Sequence, residues 1–451
     1  MRYRATRPRR LWPYALAIMA VSGLGAALGA YWLYRTDDRV YFRVEEFRSR
    51  LYSALNPQPD MLPTVAVAQT FPTPTGAALP VSGAVLDERT GEDADASRTP
   101  AATAGAGSSA PPATETPDVT ATPAASPTPL PAQVTLTGFR HEYQKFNNCG
   151  PASLAINLSY WGWSGNQDDT AAFLKPNQDD KNVSPIEIYD YLKRNGYEAY
   201  IRVNGDVETL KRFLASGYPV LVEKGFWCEP GEKRCNDWFG HYSVFNGYDD
   251  SKKLFILQDT FRGPNLKLTY DDVIQNWRAF NFVYLVIYPD TPEHDARVEA
   301  LLGPDVDLQR NYQAALTRAR QEATTLTGED AAFAWFNVGT TLHYLQDYAG
   351  AAAAFDQARA IGLPYRMLWY QFGPYRAYFF TGRYQDVIDL ATFAIQSTPK
   401  PGLEEAFYWR GLAYEAIGQA DKAVEDYRAA LAQNPSDAQA REALARLGLS
   451  P

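Results

Sequence analysis

Three cysteines and four histidines are the scarce reactive side chains of this 451-residue sequence, and one cysteine stands in a setting suited to chemistry. It lies in the run Gln144-Lys145-Phe146-Asn147-Asn148-Cys149-Gly150-Pro151-Ala152-Ser153, followed by Leu154, Ile156, Leu158 and Trp161. A small residue and a proline leading into apolar positions at helical spacing predict a buried helix with Cys149 in its first turn. Free N–H groups and the positive end of the helix dipole stabilise a thiolate there, and a lowered pKa makes it a competent nucleophile at neutral pH. Gln144, five residues earlier, is placed to offer an amide hydrogen bond to the oxyanion formed when a thiolate attacks a carbonyl.

A thiol nucleophile needs a base. His294 follows the last strand-like run in a Pro-flanked connector, His343 falls inside a C-terminal helical segment, and His141 sits on the segment that leads to the thiol itself. His241 is left, at the mouth of the run His241-Tyr242-Ser243-Val244-Phe245-Asn246-Gly247-Tyr248, preceded by Gly240, which is read as keeping one side of the backbone open. Its imidazole would take the thiol proton and return it to the leaving amine. Asp259 closes the next strand-like run, Lys253 to Gln258, just before the turn at Phe261-Arg262-Gly263-Pro264, so antiparallel pairing brings it to the same sheet end as His241. Asp249 and Asp250 are the alternative orienting acids, in a turn composition that is more often simply solvated.

These residues need a scaffold, and the sequence from Val134 to about Pro289 reads as an α+β domain. Ser184-Pro185-Ile186-Glu187 opens a second helix as a capping box. Tyr197 to Val203 alternates as a strand, Val207 to Leu214 is a helix ended by Gly217, and Tyr218 to Val222 and Phe282 to Tyr288 are buried strands.

From Phe139 to Tyr288 the chain resembles the papain-like bacteriocin-processing (double-glycine) cysteine peptidases and their stand-alone relatives. The likeness rests on Gln144, Cys149-Gly150-Pro151, Tyr160-Trp161-Gly162, Gly240-His241-Tyr242-Ser243-Val244, Gly247-Tyr248 and Asp259. It implies Cys149 as nucleophile, His241 as base, Asp259 as orienter and Gln144 as oxyanion donor, with no cofactor and no metal. Two departures stand out. Members that trim leader peptides are usually fused to an export ATPase, and no Walker-type phosphate loop occurs here. Asn148 also stands where an acid is expected, directly before the cysteine.

The rest of the chain reads as delivery. Residues 1–10 carry five arginines and no acid, and 11–33 are apolar, about 23 residues or roughly 34 Å of helix, enough to span a hydrocarbon core of about 30 Å. A transmembrane helix with the N-terminus in the cytoplasm and all else exported is the expectation, a cleaved signal peptide the competing one. Residues 34–55 form a juxtamembrane segment, read equally well as a short solvated helix. Residues 56–133, rich in Pro, Thr, Ala and Ser, form a disordered linker whose reach as a coil is on the order of 50 Å. Cys228 and Cys235 bracket a turn-forming loop before the His241 strand. In an exported domain they would close a disulfide contributing about 2–3 kcal/mol, the other reading being two reduced thiols.

After the domain at 134–290 and a connector helix in 291–327, residues 328–451 repeat. Gly339, Tyr375 and Gly411 fall 36 residues apart, as do Ala351, Val387 and Ala423, and then Phe355, Ala391 and Tyr427. This pattern resembles tetratricopeptide repeats with a capping helix from Asp437 to Leu447, a surface that holds a protein partner or, in the plainer reading, a rigid spacer. The net charge of −9 gives no electrostatic footprint for nucleic acid, and that partner class is set aside. The sequence thus reads as an exported, membrane-anchored thiol peptidase acting on a peptide or protein, with none of the four candidates coming from the repeats and the catalytic part expected to stand alone. A cell-wall amidase or transpeptidase on the same fold and a catalytically silent binding module are the alternatives.

Overall fold

The computed structural model describes residues 27–57, 61–64, 129–228 and 237–450. Local chemistry sets the helix starts of the α+β part. Asn166, Ser184 and Thr269 each cap a helix by a reciprocal box with Asp169, Glu187 and Asp272, and Asp206 caps another by accepting the Thr209 N–H. The resulting helices are α2 (Cys149–Tyr160), α3 (Gln167–Leu174), α4 (Pro185–Arg194), α5 (Val207–Ala215) and α6 (Tyr270–Arg278); α1 (Asp38–Leu55) precedes them.

The strands are β1 (Gln133–Thr135), β2 (Tyr197–Arg202), β3 (Val220–Trp227), β4 (Trp238–Asp249), β5 (Leu254–Asp259), β6 (Gly263–Thr269) and β7 (Tyr284–Pro289). They pair antiparallel in the order β2-β7-β3-β4-β5-β6, with β1 added to the far end of β4. The sheet is buried on both faces, which explains why β3, β4 and β7 read as apolar runs rather than alternations. One face packs Leu221, Tyr242, Val244, Leu285 and Ile287 against Leu154, Ile156 and Leu158 of α2. The other packs Val220, Val222, Phe245 and Val286 against Leu210, Phe213 and Leu214 of α5.

Beyond β7, α7 (Pro292–Leu302) and α8 (Leu308–Thr325) lead into the helical array. Its pairs are α9 (Gly328–Tyr344) with α10 (Tyr348–Ile361), α12 (Gly373–Phe380) with α13 (Tyr384–Gln396), and α14 (Glu404–Ala416) with α15 (Ala420–Gln433). The cap is α16 (Ala438–Arg446). The expected small-against-large packing is present: Gly339 lies on the Phe355 ring and Gly411 on the Tyr427 ring. Tyr375 takes the place of glycine in the middle repeat, where the first helix is only eight residues long and is preceded by a short extra helix, α11 (Met367–Tyr370).

The catalytic part does not stand alone. One continuous core runs from the array into the α+β part and takes in Trp238, Ala279, Phe280 and Val283. Trp238 and Phe280 stack at 5.9 Å, and Trp238 also meets Phe333 of α9; fully burying such side chains contributes about 1.5–3 kcal/mol each. Arg278 pairs with Glu322 and Asp330, Asn337 donates to the Arg278 carbonyl, and Gln371 donates to that of Ala279.

The N-terminal segments also differ from expectation. α1 is neither free nor fully solvated: Tyr41 and Glu45 are buried, Tyr41 donates to Asp179, and Lys400 of the array bonds both Glu45 and Asp179. Within the expected linker, Met61 pairs with Pro364 and Leu62 donates to the Leu363 carbonyl. α1 and residues 61–64 are therefore bound to the folded body, through a phenol, a carboxylate and backbone groups that find partners there. Residues 65–128 and most of the expected span 11–33 lie outside the described residues. Among the described residues no helix is long and apolar enough to cross a membrane.

Candidate active site

Cys149 is the first residue of α2, as the sequence predicts, and is a free thiol. The turn before it is tight. Asn147 has φ +51° and its carbonyl accepts the buried Lys175 ammonium, while the Asn148 side chain makes no capping bond. The first amides of a helix have no acceptor within it, and Pro151 contributes none, so the N–H groups of Cys149 and Gly150 face the thiol end as donors.

Asn148 has its own explanation. The Gln167 NH₂ is engaged by Glu142 Oε2 (2.7 Å) and the Tyr143 carbonyl (2.9 Å), which leaves its Oε1 as an acceptor. The Asn148 NH₂ donates to that oxygen at 2.9 Å, and the Lys145 N–H joins at 2.8 Å. An aspartate at 148 would face an acceptor with an acceptor.

His241 lies on β4, two residues from Ser243 and on the same face by the period of the strand. Ser243 pairs with Asp259 of β5 across the ladder, which sets Asp259 diagonal to His241. Asp259 Oδ2 accepts His241 Nε2–H at 3.1 Å and the Ser243 hydroxyl at 2.9 Å; Oδ1 accepts the N–H groups of Phe261 (3.0 Å) and Arg262 (2.8 Å). The Cys149 thiol and the same imidazole line one small space, and each acts on the other's titration. The Ser153 hydroxyl on the Tyr242 carbonyl, at 2.9 Å, ties α2 to β4 beside it.

The electrostatics follow this geometry. Burial acts first to raise the thiol pKa but is outweighed by the His241 hydrogen bond and charge, the Tyr242 backbone and Lys175, so the thiol falls below its ordinary value. Burial likewise opposes the imidazolium and is outweighed by Asp259, so His241 is raised. Burial works against the Asp259 carboxylate as well, yet His241, Lys224 at 3.8 Å and the Arg262 amide hold it far below the usual carboxylate range. Both shifts run toward the thiolate–imidazolium pair.

Of the other sequence candidates, Gln144 is bound to the residue after Asp259: its N–H donates to the Thr260 carbonyl and its Oε1 accepts the Thr260 hydroxyl. It does not line the space over the thiol, which Asn147 does. The remaining histidines are elsewhere: His141 bonds Gln258, His294 bonds Tyr218, and His343 is buried in α9. Asp249 pairs with Lys252 and Asp250 with Lys211, at the other end of β4. Cys228 is disulfide-bonded, whereas Cys235 lies outside the described residues. No group of His, Cys, Asp and Glu among the described residues is arranged to hold a metal ion.

Several contributors were not anticipated: Lys175, Lys224, Ser243, the Gln167 network, and Tyr370 of the array. Gly240 does not keep its side open. A methyl group there would lie 2.8 Å from Phe280 and 2.9 Å from the Tyr370 ring. Spacing in the sequence carries no signal for a residue 130 positions further along.

Residues 131–285 match the family described as Peptidase_C39 like, and residues 404–447 match a tetratricopeptide repeat. Among solved structures, similarity is found to a putative C39-like peptidase from Bacillus anthracis, at 15% identity, covering 35% of this chain and 98% of that one, with a TM-score of 0.29. A double-glycine-motif protease from an AMS/PCAT transporter, in complex with the leader peptide, matches at 17%, covering 35% and 98%, TM-score 0.26. The peptidase domain of Streptococcus ComA matches at 17%, covering 34% and 100%, TM-score 0.27. No curated protein matches. By its family match the segment 131–285 is a cysteine-peptidase domain similar to the C39-like family, continued by helices whose last pair matches a tetratricopeptide repeat.

Proposed function

We propose that the protein hydrolyses peptide bonds through Cys149, His241 and Asp259. The imidazole bonded to the Asp259 carboxylate, in one small space with the Cys149 thiol, carries this reading. The thiolate attacks the scissile carbonyl carbon, and the oxyanion is met by the Cys149 amide, with Gln144 the further donor only if it turns from Thr260 toward the thiol. His241 gives its proton to the leaving amine as the C–N bond breaks, leaving a thioester. It then takes a proton from water, whose oxygen displaces the thiol and releases the acid. Asp259 holds the imidazole with Nε2–H toward itself and Nδ1 toward the sulfur.

The N-terminal arginines and the apolar run 11–33 support anchoring with the cytoplasm on the arginine side and the folded part outside, and the array supports holding a protein partner or substrate. The test is turnover of a fluorogenic peptide library by the full chain. Cys149→Ser and His241→Ala should each abolish it with the melting temperature kept. Wild-type turnover by Cys149→Ser ends the assignment. Protease added to intact cells should release the folded part; full protection would refute the orientation.

A further inference from the structure

The space directly over the thiol is small. It amounts to about 10 Å³ for the centre of a water-sized sphere, room for about one water, between Cys149, His241, Gly240, Glu223, Asn182 and Tyr370. Five of these six belong to the peptidase domain. The sixth comes from the short extra helix α11 in the irregular middle repeat.

Tyr370 is held there from several sides. Its ring lies against the Gly240 backbone and meets Trp238 at 6.0 Å and Phe280 at 6.1 Å, both edge-on. Its neighbours are fixed as well: Arg366 pairs with Asp237 at 3.2 Å and stacks on Phe239, Trp369 donates to Ser397 Oγ at 2.8 Å, and Gln371 donates to the Ala279 carbonyl at 2.9 Å. A side chain fixed on both flanks and lining the same small space as the thiol is placed to set the width of what reaches that thiol.

We infer that Tyr370, supplied by the helical array, is a specificity-determining residue of the thiol site, the wall that limits the size of the substrate residue beside the scissile bond. The inference rests on the peptidase reading and deepens it. The array thereby shapes the cleft itself in addition to any partner it holds. A wall of this kind rejects bulk by contact, and pockets of fixed size separate side chains differing by one methylene by about 10- to 200-fold.

The test compares two rates on the same thiol in the full chain: alkylation of Cys149 by iodoacetamide and by a fluorescein-sized iodoacetamide. Both depend equally on the thiolate fraction, so their ratio reports width alone. Tyr370→Ala should raise the large-to-small ratio by about tenfold or more, while Tyr370→Phe leaves it unchanged. Tyr370→Leu keeps apolar packing and is read in place of the alanine variant should the latter lose its fold. In hydrolysis, the ratio of kcat/KM for leucine over glycine beside the scissile bond should rise in step. A large-to-small ratio within twofold of wild type in the folded Ala or Leu variant overturns the inference. A raised ratio in a protein that hydrolyses no peptide refutes the peptidase reading and leaves the wall in place.

Discussion

Replacing Asp259 by asparagine tests the hydrogen-bond accounting of the site with almost no change of shape. One carboxylate oxygen must become an NH₂. Placed at Oδ1, it would confront the Phe261 and Arg262 N–H groups, two fixed donors whose loss of an acceptor costs about 1–3 kcal/mol each. Placed at Oδ2, it meets the Ser243 hydroxyl, which can turn to accept, and His241 Nε2, which accepts only in the other tautomer. The second arrangement wins, by roughly 2–6 kcal/mol before the smaller cost of the tautomer change. His241 then carries its proton on Nδ1, toward the sulfur, and has no lone pair for the thiol proton. Such a reversal costs on the order of 10⁴ in kcat, about 5.4 kcal/mol at 1.36 per decade. The pH profile should change too. In the wild type the alkaline limb reflects loss of a proton from the raised His241 and the acid limb protonation of the lowered Cys149. In Asp259→Asn the first moves down and the second up, closing the window from both sides. Iodoacetamide alkylation against pH reads the thiol limb directly. Stability should fall by no more than about 3–5 kcal/mol, because Lys224 loses its buried partner, and Lys224→Met in the same chain should recover stability without activity. The Asp259 pKa is depressed on folding, so its contribution is present above the unfolded value near 4 and lost as pH falls through the folded one, and the gap between variant and wild type should narrow below about pH 4. Activity within about threefold of wild type, with an unshifted profile, would refute this accounting.

Two further substitutions probe the supports. Asn148→Asp, which restores the acid expected from the resemblance, should lower stability by about 1–3 kcal/mol in chemical denaturation, since Gln167 cannot turn its NH₂ without leaving Glu142 and the Tyr143 carbonyl; a stabilised variant would contradict the network. Gly402→Ala adds a methyl group 2.2 Å from the Asp179 carbonyl, where φ is +47°, and so pushes the array off residues 179–183, a loop that lines the thiol space through Lys181 and Asn182. A stability loss of about 1–3 kcal/mol with faster alkylation of Cys149 by large reagents is expected, and unchanged values of both would show that this contact does not hold the loop.

Much of the α+β part was legible because its signals are local. The Ser184-Pro185-Glu187 box, the run into α2, and the apolar stretches of β3, β4 and β7 each follow from short-range pattern. The relation between His241 and Asp259 was legible at one step beyond, since a turn of Asp249-Asp250-Ser251-Lys252 makes neighbours of β4 and β5 and their lengths bring both residues to one end. β6 was missed for a physical reason: Gly263 to Thr269 is an edge strand, exposed over most of its length and opened by Gly-Pro, so neither its pattern nor its propensity resembles a strand. Lys175 and Lys224 were invisible for another. Lysine is ordinarily a surface residue, and burial beside a thiol or a carboxylate is decided by tertiary packing.

The contact between array and cleft was the least legible feature, and its cause lies in how a repeat sequence is read. A period of 36 residues identifies what the copies share, namely the small and large positions that stack helix on helix. What matters for the thiol is where one copy departs. In the middle repeat Tyr375 fills the glycine position and the first helix that holds it is cut to eight residues, which leaves residues 362–372 outside the helix pair, with only the short α11 among them. That released stretch carries Arg366, Tyr370 and Gln371 to Asp237, Gly240 and Ala279 respectively, each on or beside the strand and helix that frame His241. Trp238 and Phe280, which fall inside the domain bounded at 134–290 from the sequence, are therefore shared core, and residue 290 is not a boundary in packing. A chain cut there would expose Trp238 and Phe280 and leave Arg278 without either carboxylate. The array is thus part of what holds the cleft in shape, and the catalytic unit extends from the turn before Cys149 to the end of α11.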